Sequence, residues 1–397
     1  MNIYFYEDKT AAQFDPISLT RPVHAIRCGQ KTFVEWNIDQ LPKDSHVSLF
    51  VRKEMENISK EIYPDYSINP DNLEDGIWVL ASAVLKSEEW KDLIESKTPF
   101  FKNDKLVACF RTSDQAQKWL LNLDSSMTDE SHITQKTTLQ YSVPEYLWEI
   151  LPLAHQLLND EFAKSDFSKG WDSLSLINEG NISIDETAEI LPQVVLNATD
   201  GPIIIEKNVK IYPFTYIQGP AFVGEGSVIS PHTQFKNSYC GPMCKLGGEI
   251  SKTIIQGYSN KVHDGHIGDS FLGEWVNLGA GTTNSNLKNN YQPVSISVNG
   301  TMVNTSTLFA GLYIGDHSKT AIGTQFNTGT IVGPACNIVT SGLPSKYIRP
   351  YTWFINGKHI KTRIEKFFET MVLSMKRRNQ ILSEATTELY KYIYDNR

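Results

Sequence analysis

The hydrophobic positions along this chain follow different periods in different regions. Over 1–165, apolar runs of strand length (NIYFY, HVSLFVR, GIWVLASAVL, KLVACFR) alternate with helical stretches such as SDQAQKWLLNL and YLWEILPLAHQLLNDEF. That alternation predicts an α/β layer domain over 1–165. A polar stretch, AKSDFSKGWDSLS, reads as a linker. Beyond it the apolar beat becomes six: Ile205, Ile211, Ile217, Val223, Ile229, Phe235, and later Ile314, Thr320, Phe326, Val332, Ile338, with Ile267, Leu272 and Leu278 between. A helix repeats at about 3.6 residues and a strand at about 2, so neither sustains this beat. A parallel β-helix does, because each face of a coil turns one aliphatic side chain inward and stacking the coils buries a continuous column. A hexapeptide-repeat β-helix is therefore expected over 180–345. The run 283–307 breaks the beat and is expected to leave the coil as a loop.

Residues 346–397 read as a helical extension. Over 358–395, Ile360, Ile364, Phe367, Met371, Met375, Leu382, Ala385, Leu389 and Tyr392 mark one apolar stripe, read as a helix that caps the open end of the column. Its basic cluster MKRRN, 375–379, suits either a solvated face or a phosphate.

Composition narrows the class. With 397 residues there is room for two or three cores at roughly 100–200 residues each. Thirty-seven basic against 45 acidic residues, net −8, argue against a nucleic-acid surface. No apolar run approaches the roughly 18 residues of a membrane span, and MNIYFYEDKT does not open like a signal peptide. Five scattered cysteines suggest reduced thiols and a cytoplasmic location. Cys240 and Cys244 have no second pair nearby and read as buried thiols, so no metal site is expected from them.

The segment HDGHIGDSFLGEWVNLGAGTTNSN resembles the acetyltransferase half of the bifunctional N-acetylglucosamine-1-phosphate uridylyltransferase/glucosamine-1-phosphate N-acetyltransferase family. That family carries H-L-x-Y-L-G-D and then I-G-x-x-V-N-I-G-A-G-T-x-x-x-N. The match runs through His263, Ile267-Gly268-Asp269, Val276 to Thr282 and Asn286. Thr20-Arg21-Pro22-Val23 and SNLKNNY further resemble shorter sugar-nucleotidyltransferase-like relatives. The resemblance implies a nucleotidyltransferase-like (Rossmann-like) α/β domain before a left-handed β-helix, assembled as a homotrimer with acyl sites between columns. It implies acetyl-CoA or another acyl-CoA as donor, and a sugar phosphate or nucleotide sugar as acceptor. His263 takes the place of the general base; Asn277 and Asn286 take the places that hold the acceptor and polarise the reacting centre. Backbone groups of roughly Gly311 to Ile338 are expected along the pantetheine arm. An imidazole suits the base role near neutral pH. A corner histidine also serves plain turn packing, and a metal on His263 and His266 would lack a third ligand.

The departures shape the expectation. The family tyrosine after the base is His266, and its N-Y-D-G is Asn286-Leu287-Lys288-Asn289. The phosphate-gripping arginine aligns with Thr233 and the following lysine with Ser251, beside Lys252. Either the acceptor differs from glucosamine-1-phosphate, or Lys252 and Lys261 replace the lost grip. At the N-terminus the glycine-rich loop is missing, Val23 stands for the family lysine, and WVLASAVL lacks the metal-binding acid. Arg21 and Arg27 are left as phosphate holders, with Mg²⁺ and a nucleoside triphosphate if nucleotidyl transfer operates. The expectation is a transferase of sugar-nucleotide metabolism with an acyltransferase site in the β-helix. The alternatives are a nucleotidyltransferase using the β-helix as trimerisation scaffold, and a non-enzymatic nucleotide-sugar sensor or assembly protein.

Overall fold

The computed structural model describes residues 1–103, 105–120, 137–162 and 174–396; the end of SDQAQKWLLNL and most of the expected linker lie outside the described residues. The chain divides into two compact units, Met1–Phe14 with Arg21–Ile26 and Lys31–Tyr146, and Asp15–Thr20 with Arg27–Gln30 and Leu147–Arg397.

The first unit is an α/β layer. Asn2–Tyr6 (β1) pairs in parallel with His46–Phe50 (β2) on one side and Gly76–Leu80 on the other. Adding Ser67–Ile68 (β3), then naming Gly76–Leu80 β4, Phe100–Lys102 β5, Lys105–Arg111 β6 and Thr137–Thr138 β7, the sheet order is β3-β2-β1-β4-β6-β5-β7. β1 is central, which is why Ile3 to Tyr6 are all buried. The Tyr4 and Trp78 rings stack across it at 4.4 Å. The chain leaves β1 to one side for β2 and returns on the other for β4, so the topological switch point lies between the C-terminal ends of β1 and β4.

The second unit is the solenoid. One inward row reads Ile184, Ile205, Val223, Cys240, Ile255, Leu272, Ile314, Val332, Ile348, each residue the direct parallel partner of the next. A second face stacks Leu196, Ile217, Phe235, Ile250 and Ile267. The third stacks Ile190, Ile211, Ile229, Leu246 and then Lys261. Each apolar residue of the sixfold beat, including Ile267, Leu272 and Leu278, is buried in this column. The fold class is the one expected, a nucleotidyltransferase-like α/β unit and a left-handed hexapeptide-repeat β-helix with a C-terminal helical extension.

The insertion leaves the ladder after Asn284, whose partner Phe326 lies in the next coil. It is ordered rather than a plain loop. Ser295–Val298 and Thr301–Asn304 form an antiparallel hairpin over Asn299-Gly300, both left-handed at φ 49° and 80°. Asn-Gly suits that tight turn because both positions need positive φ.

Three local features add to the sequence reading. The compact α/β unit runs to Tyr146, and the helix Ile150–Asp160 that follows packs on the solenoid, where His155 Nε2 lies 3.2 Å from the Asn237 carbonyl. The apolar stripe over 358–395 is not one helix. Lys358–Lys361 is a strand antiparallel to Thr352–Ile355 on the last coil, followed by helices Ile364–Lys376 and Glu384–Asn396, separated by a turn with Asn379 left-handed at φ 55°. Nor do the helices cap the column's end. They lie along one corner, where Tyr258, Trp275 and His317 are left-handed and turn their rings outward as a stack. His317 meets Phe367 and Tyr390 edge-on, and Arg378 reaches back to Asn260, donating to Oδ1 at 2.9 Å.

Candidate active site

Four of the residues that bear on acyl transfer meet on the second face. Glu249 and His266 are cross-strand partners, and Glu249 Oε2 lies 3.4 Å from His266 Nδ1. Lys236 donates to the same carboxylate at 2.8 Å and, with His266, holds it below the usual range against its partial burial. Asn286 donates from Nδ2 to Asp269 Oδ2 at 2.6 Å, while burial pushes the Asp269 carboxyl up. Gly268 makes the close packing possible: a Cβ there would sit 2.5 Å from His266 Nε2 and 3.0 Å from Asn286 Nδ2. Sequence reasoning quoted Gly268 within a motif without giving it a role. Lys252 stands exposed at the corner beside this group, its ammonium 5.4 Å from the Phe309 ring centre. Beneath it Asn284 is buried, accepting from the Gly268 N–H and donating to the Gly268 carbonyl, both at 3.0 Å.

His263 lies on the corner just before this strand. Its side chain is exposed and its ring makes no hydrogen bond among the described residues. It is an available imidazole.

Other expected residues are placed elsewhere. Lys261 is 2% exposed and occupies an inward position, its ammonium donating to the carbonyls of Gly247 at 2.8 Å and His263 at 2.7 Å. Burial pushes it down to about 8. It is spent on backbone and does not present a charge to a ligand. Thr233 is likewise buried, bonded to the Ser230 carbonyl. Asn277 belongs to the third face, bridged to Asn260 and Lys319, apart from the face that carries His266 and Asn286. Along the later coils the N–H groups of Gly311, Gly315, Lys319 and Ala321 donate to neighbouring strands.

At the C-terminal ends of β1 and β2, next to the switch point of the first unit, the edge is filled by protein charge. The Glu7 carboxylate is buried and accepts from Arg52 Nε at 3.2 Å and Nη2 at 3.3 Å, and from the N–H groups of Val23 and Arg52. Burial pushes its pKa up, but Arg52 and His24 outweigh it and hold it low. His24 is buried, and desolvation pushes it down to about 4. Asp8 pairs with Lys105 at 2.7 Å. Arg21 is buried, its carbonyl accepting from Arg52. Arg27, in the second unit, gives its guanidinium to the carbonyls of Gln256 and Gln30 and its N–H to Gln256 Oε1. A phosphate cradle needs open N–H donors, and here a carboxylate has taken them. The carboxylates at this edge are also committed to Arg52 and Lys105, a donor set that does not fit Mg²⁺ held by free carboxylates. Among the described residues no group of three His, Cys, Asp or Glu side chains is placed to hold a metal.

Comparison with known proteins finds the following similarities. Residues 3–166 match the family model described as sugar nucleotidyl transferase. A bifunctional sugar-1-phosphate nucleotidylyltransferase/acetyltransferase of Sulfurisphaera tokodaii is 34% identical over 146 residues, 35% of each chain. The bifunctional protein GlmU of Synechococcus elongatus is 28% identical over 255 residues, 56% of each chain. The chain thus spans about half or less of the curated relatives' length. A solved hexapeptide transferase family protein from Anaplasma phagocytophilum overlaps 56% of this chain and 94% of its own at 15% identity, with a TM-score of 0.18. The N-terminal region is thus similar to the sugar nucleotidyl transferase family, and a hexapeptide-type solenoid follows it. No helix among the described residues is long and apolar enough to cross a membrane.

Proposed function

We propose that this chain is a transferase of sugar-nucleotide metabolism whose solenoid carries acyl transfer from acetyl-CoA or another acyl-CoA. The acceptor is an amino group on a sugar phosphate or nucleotide sugar. The observation that carries the reading is the grouping of His266, Asn286, Asp269 and Lys252 along one face, with the exposed imidazole of His263 on the corner that precedes the same strand. In this reading His263 takes the proton of the amine as its nitrogen attacks the thioester carbonyl. The C–N bond forms, the C–S bond breaks, and the proton passes to the departing thiolate. Asn286, clamped by Asp269, keeps its second N–H for the developing oxyanion. His266, fixed by Glu249, orients the acceptor, and Lys252 meets its phosphate. Within one column Asn277 lies on another face, and the loss of the cations at Thr233 and Ser251 favours an acceptor other than glucosamine-1-phosphate. The homotrimer and the cytoplasmic location belong to the same proposal; five free, buried cysteines support a reducing compartment. A panel of amino-sugar phosphates and nucleotide amino sugars, assayed for acceptor-dependent release of free CoA thiol, tests it. Release no faster than with buffer alone across the panel would sink it.

A second reading, nucleotidyl transfer by the first unit, is favoured by the family match over 3–166. The Glu7–Arg52 pair that fills the sheet edge at the ends of β1 and β2 weighs against it. Release of pyrophosphate from a nucleoside triphosphate and a sugar-1-phosphate separates the two readings.

A further inference from the structure

On the third face of the solenoid, away from the acyl-transfer residues, the helix Ile364–Lys376 and the turn after it enclose a cavity of about 290 Å³. The column contributes Asn260, Asn277 and Lys319, and the end of the helix contributes Arg377 and Arg378. We infer that this cavity is a binding site for a compact phosphate-bearing anion, a diphosphate or a small phosphate ester.

The charges support it first. No carboxylate lines the cavity, and among the described residues none of the three cations makes an ion pair with an acid. Lys319 donates to the His317 carbonyl at 3.1 Å, and Arg378 donates through Nη2 to Asn260 while its Nε is buried without a partner. Burial alone, with no acid opposing it, pushes Lys319 down to about 8. Gathering like charges in a half-enclosed space costs free energy that a bound anion removes. A helix C-terminus explains one cation there, not three.

Polarity of the remaining groups points the same way. Asn260 Nδ2 lies 3.4 Å from Asn277 Oδ1, which leaves the Asn277 N–H groups for the cavity. The lining therefore presents donors from Lys319, both arginines and Asn277.

The walls limit what else can bind. Trp275 is covered on one face by Tyr258 at 4.6 Å and on the other by His317 at 5.8 Å, so it offers an edge and no free ring face to a base. The volume is at the small end of ligand pockets, about 300–1,000 Å³. Both features favour recognition through the phosphate groups. The site does not depend on acyl transfer and uses none of its residues.

Calorimetric titration of the full chain with inorganic pyrophosphate at low salt tests the inference. Wild type is expected to bind, and Lys319→Gln and Arg377→Gln each to weaken binding at least about tenfold, the loss of one charge-assisted bond. Lys376→Gln, on the same helix but outside the lining, is expected to bind as wild type does. Thermal midpoints confirm that the variants are folded. Competition by CoA or by a nucleoside diphosphate would name the physiological source, and no competition would leave pyrophosphate itself; both outcomes support the site. No heat from wild type, or equal affinity in folded Lys319→Gln, would overturn it.

Discussion

Glu249 and His266 are direct partners across a parallel ladder, with carboxylate Oε2 3.4 Å from imidazole Nδ1. The relationship turns a surface histidine into an oriented one, since its other nitrogen is left facing Gly268 and Asn286. Lys236 holds the carboxylate from the far side, so two side chains on the preceding coils fix one ring.

Gly268→Ala probes that geometry. The new Cβ would overlap His266 Nε2, forcing the ring or Asn286 to move, while the backbone φ of Gly268 lies outside the left-handed region. Misplacement of this size is expected to lower kcat/KM for acyl transfer by up to about 100-fold with the thermal midpoint nearly unchanged. Steady-state kinetics beside a melting curve reads both.

The buried lysine of the column gives a pH signature. Lys261 is held at about 8 in the fold, below its ordinary value of 10.5. Between these values the unfolded chain binds more protons, so stability rises with pH across this window. Below about 8 the charged form carries the full burial cost. Lys261→Met removes the group, and the difference in stability between wild type and variant is expected to move in favour of wild type from pH 8 to 10.5, by an amount on the order of 1–3 kcal/mol. Urea unfolding at several pH values measures it.

The column predicts a steep contrast between inward and corner aliphatics. Ile217 is fully buried, and Ile217→Ala is expected to cost about 2–5 kcal/mol through the cavity it leaves. Ile322, 80% exposed at a corner, is expected to change stability by less than about 0.5 kcal/mol when made alanine. The same unfolding experiment compares them.

In the first unit, Arg52→Ala strands the buried Glu7 carboxylate. The expected loss is about 3–5 kcal/mol, the penalty for a buried charge without its partner. Glu7 sits below its ordinary value in the fold, so its stabilisation is present above about pH 4.5 and is lost as pH falls through the folded value. Wild type should therefore lose more stability than Arg52→Ala on acidification, which thermal melts from neutral to acid pH would show.

The sixfold beat was legible because each face accepts one inward side chain per coil, and aliphatics at those positions are what buries the column. The same count was ambiguous where polar groups turn inward. Six residues before Ile267 stands Lys261, and the beat itself marks it as interior, yet a lysine reads as a surface cation. The split between Asn277 and Asn286 was not legible, because residues near in sequence around a triangular coil point from different faces. The hairpin in the insertion was signalled by Asn299-Gly300 between alternating residues, a cue masked by the loss of the hexad. The C-terminal stripe stayed in phase across the turn at Asn379, so periodicity alone joined two helices into one. At the N-terminus the missing glycine loop was visible, but not that Glu7 and Arg52 occupy its place, since they come together only across the sheet edge.

The most direct measurement is acceptor-dependent CoA release by wild type, His263→Ala and His266→Gln under one set of conditions. Base catalysis by His263 predicts a fall in kcat of about 100-fold or more for His263→Ala, and for His266→Gln a change mainly in KM for the acceptor. Equal kcat in wild type and folded His263→Ala would contradict it.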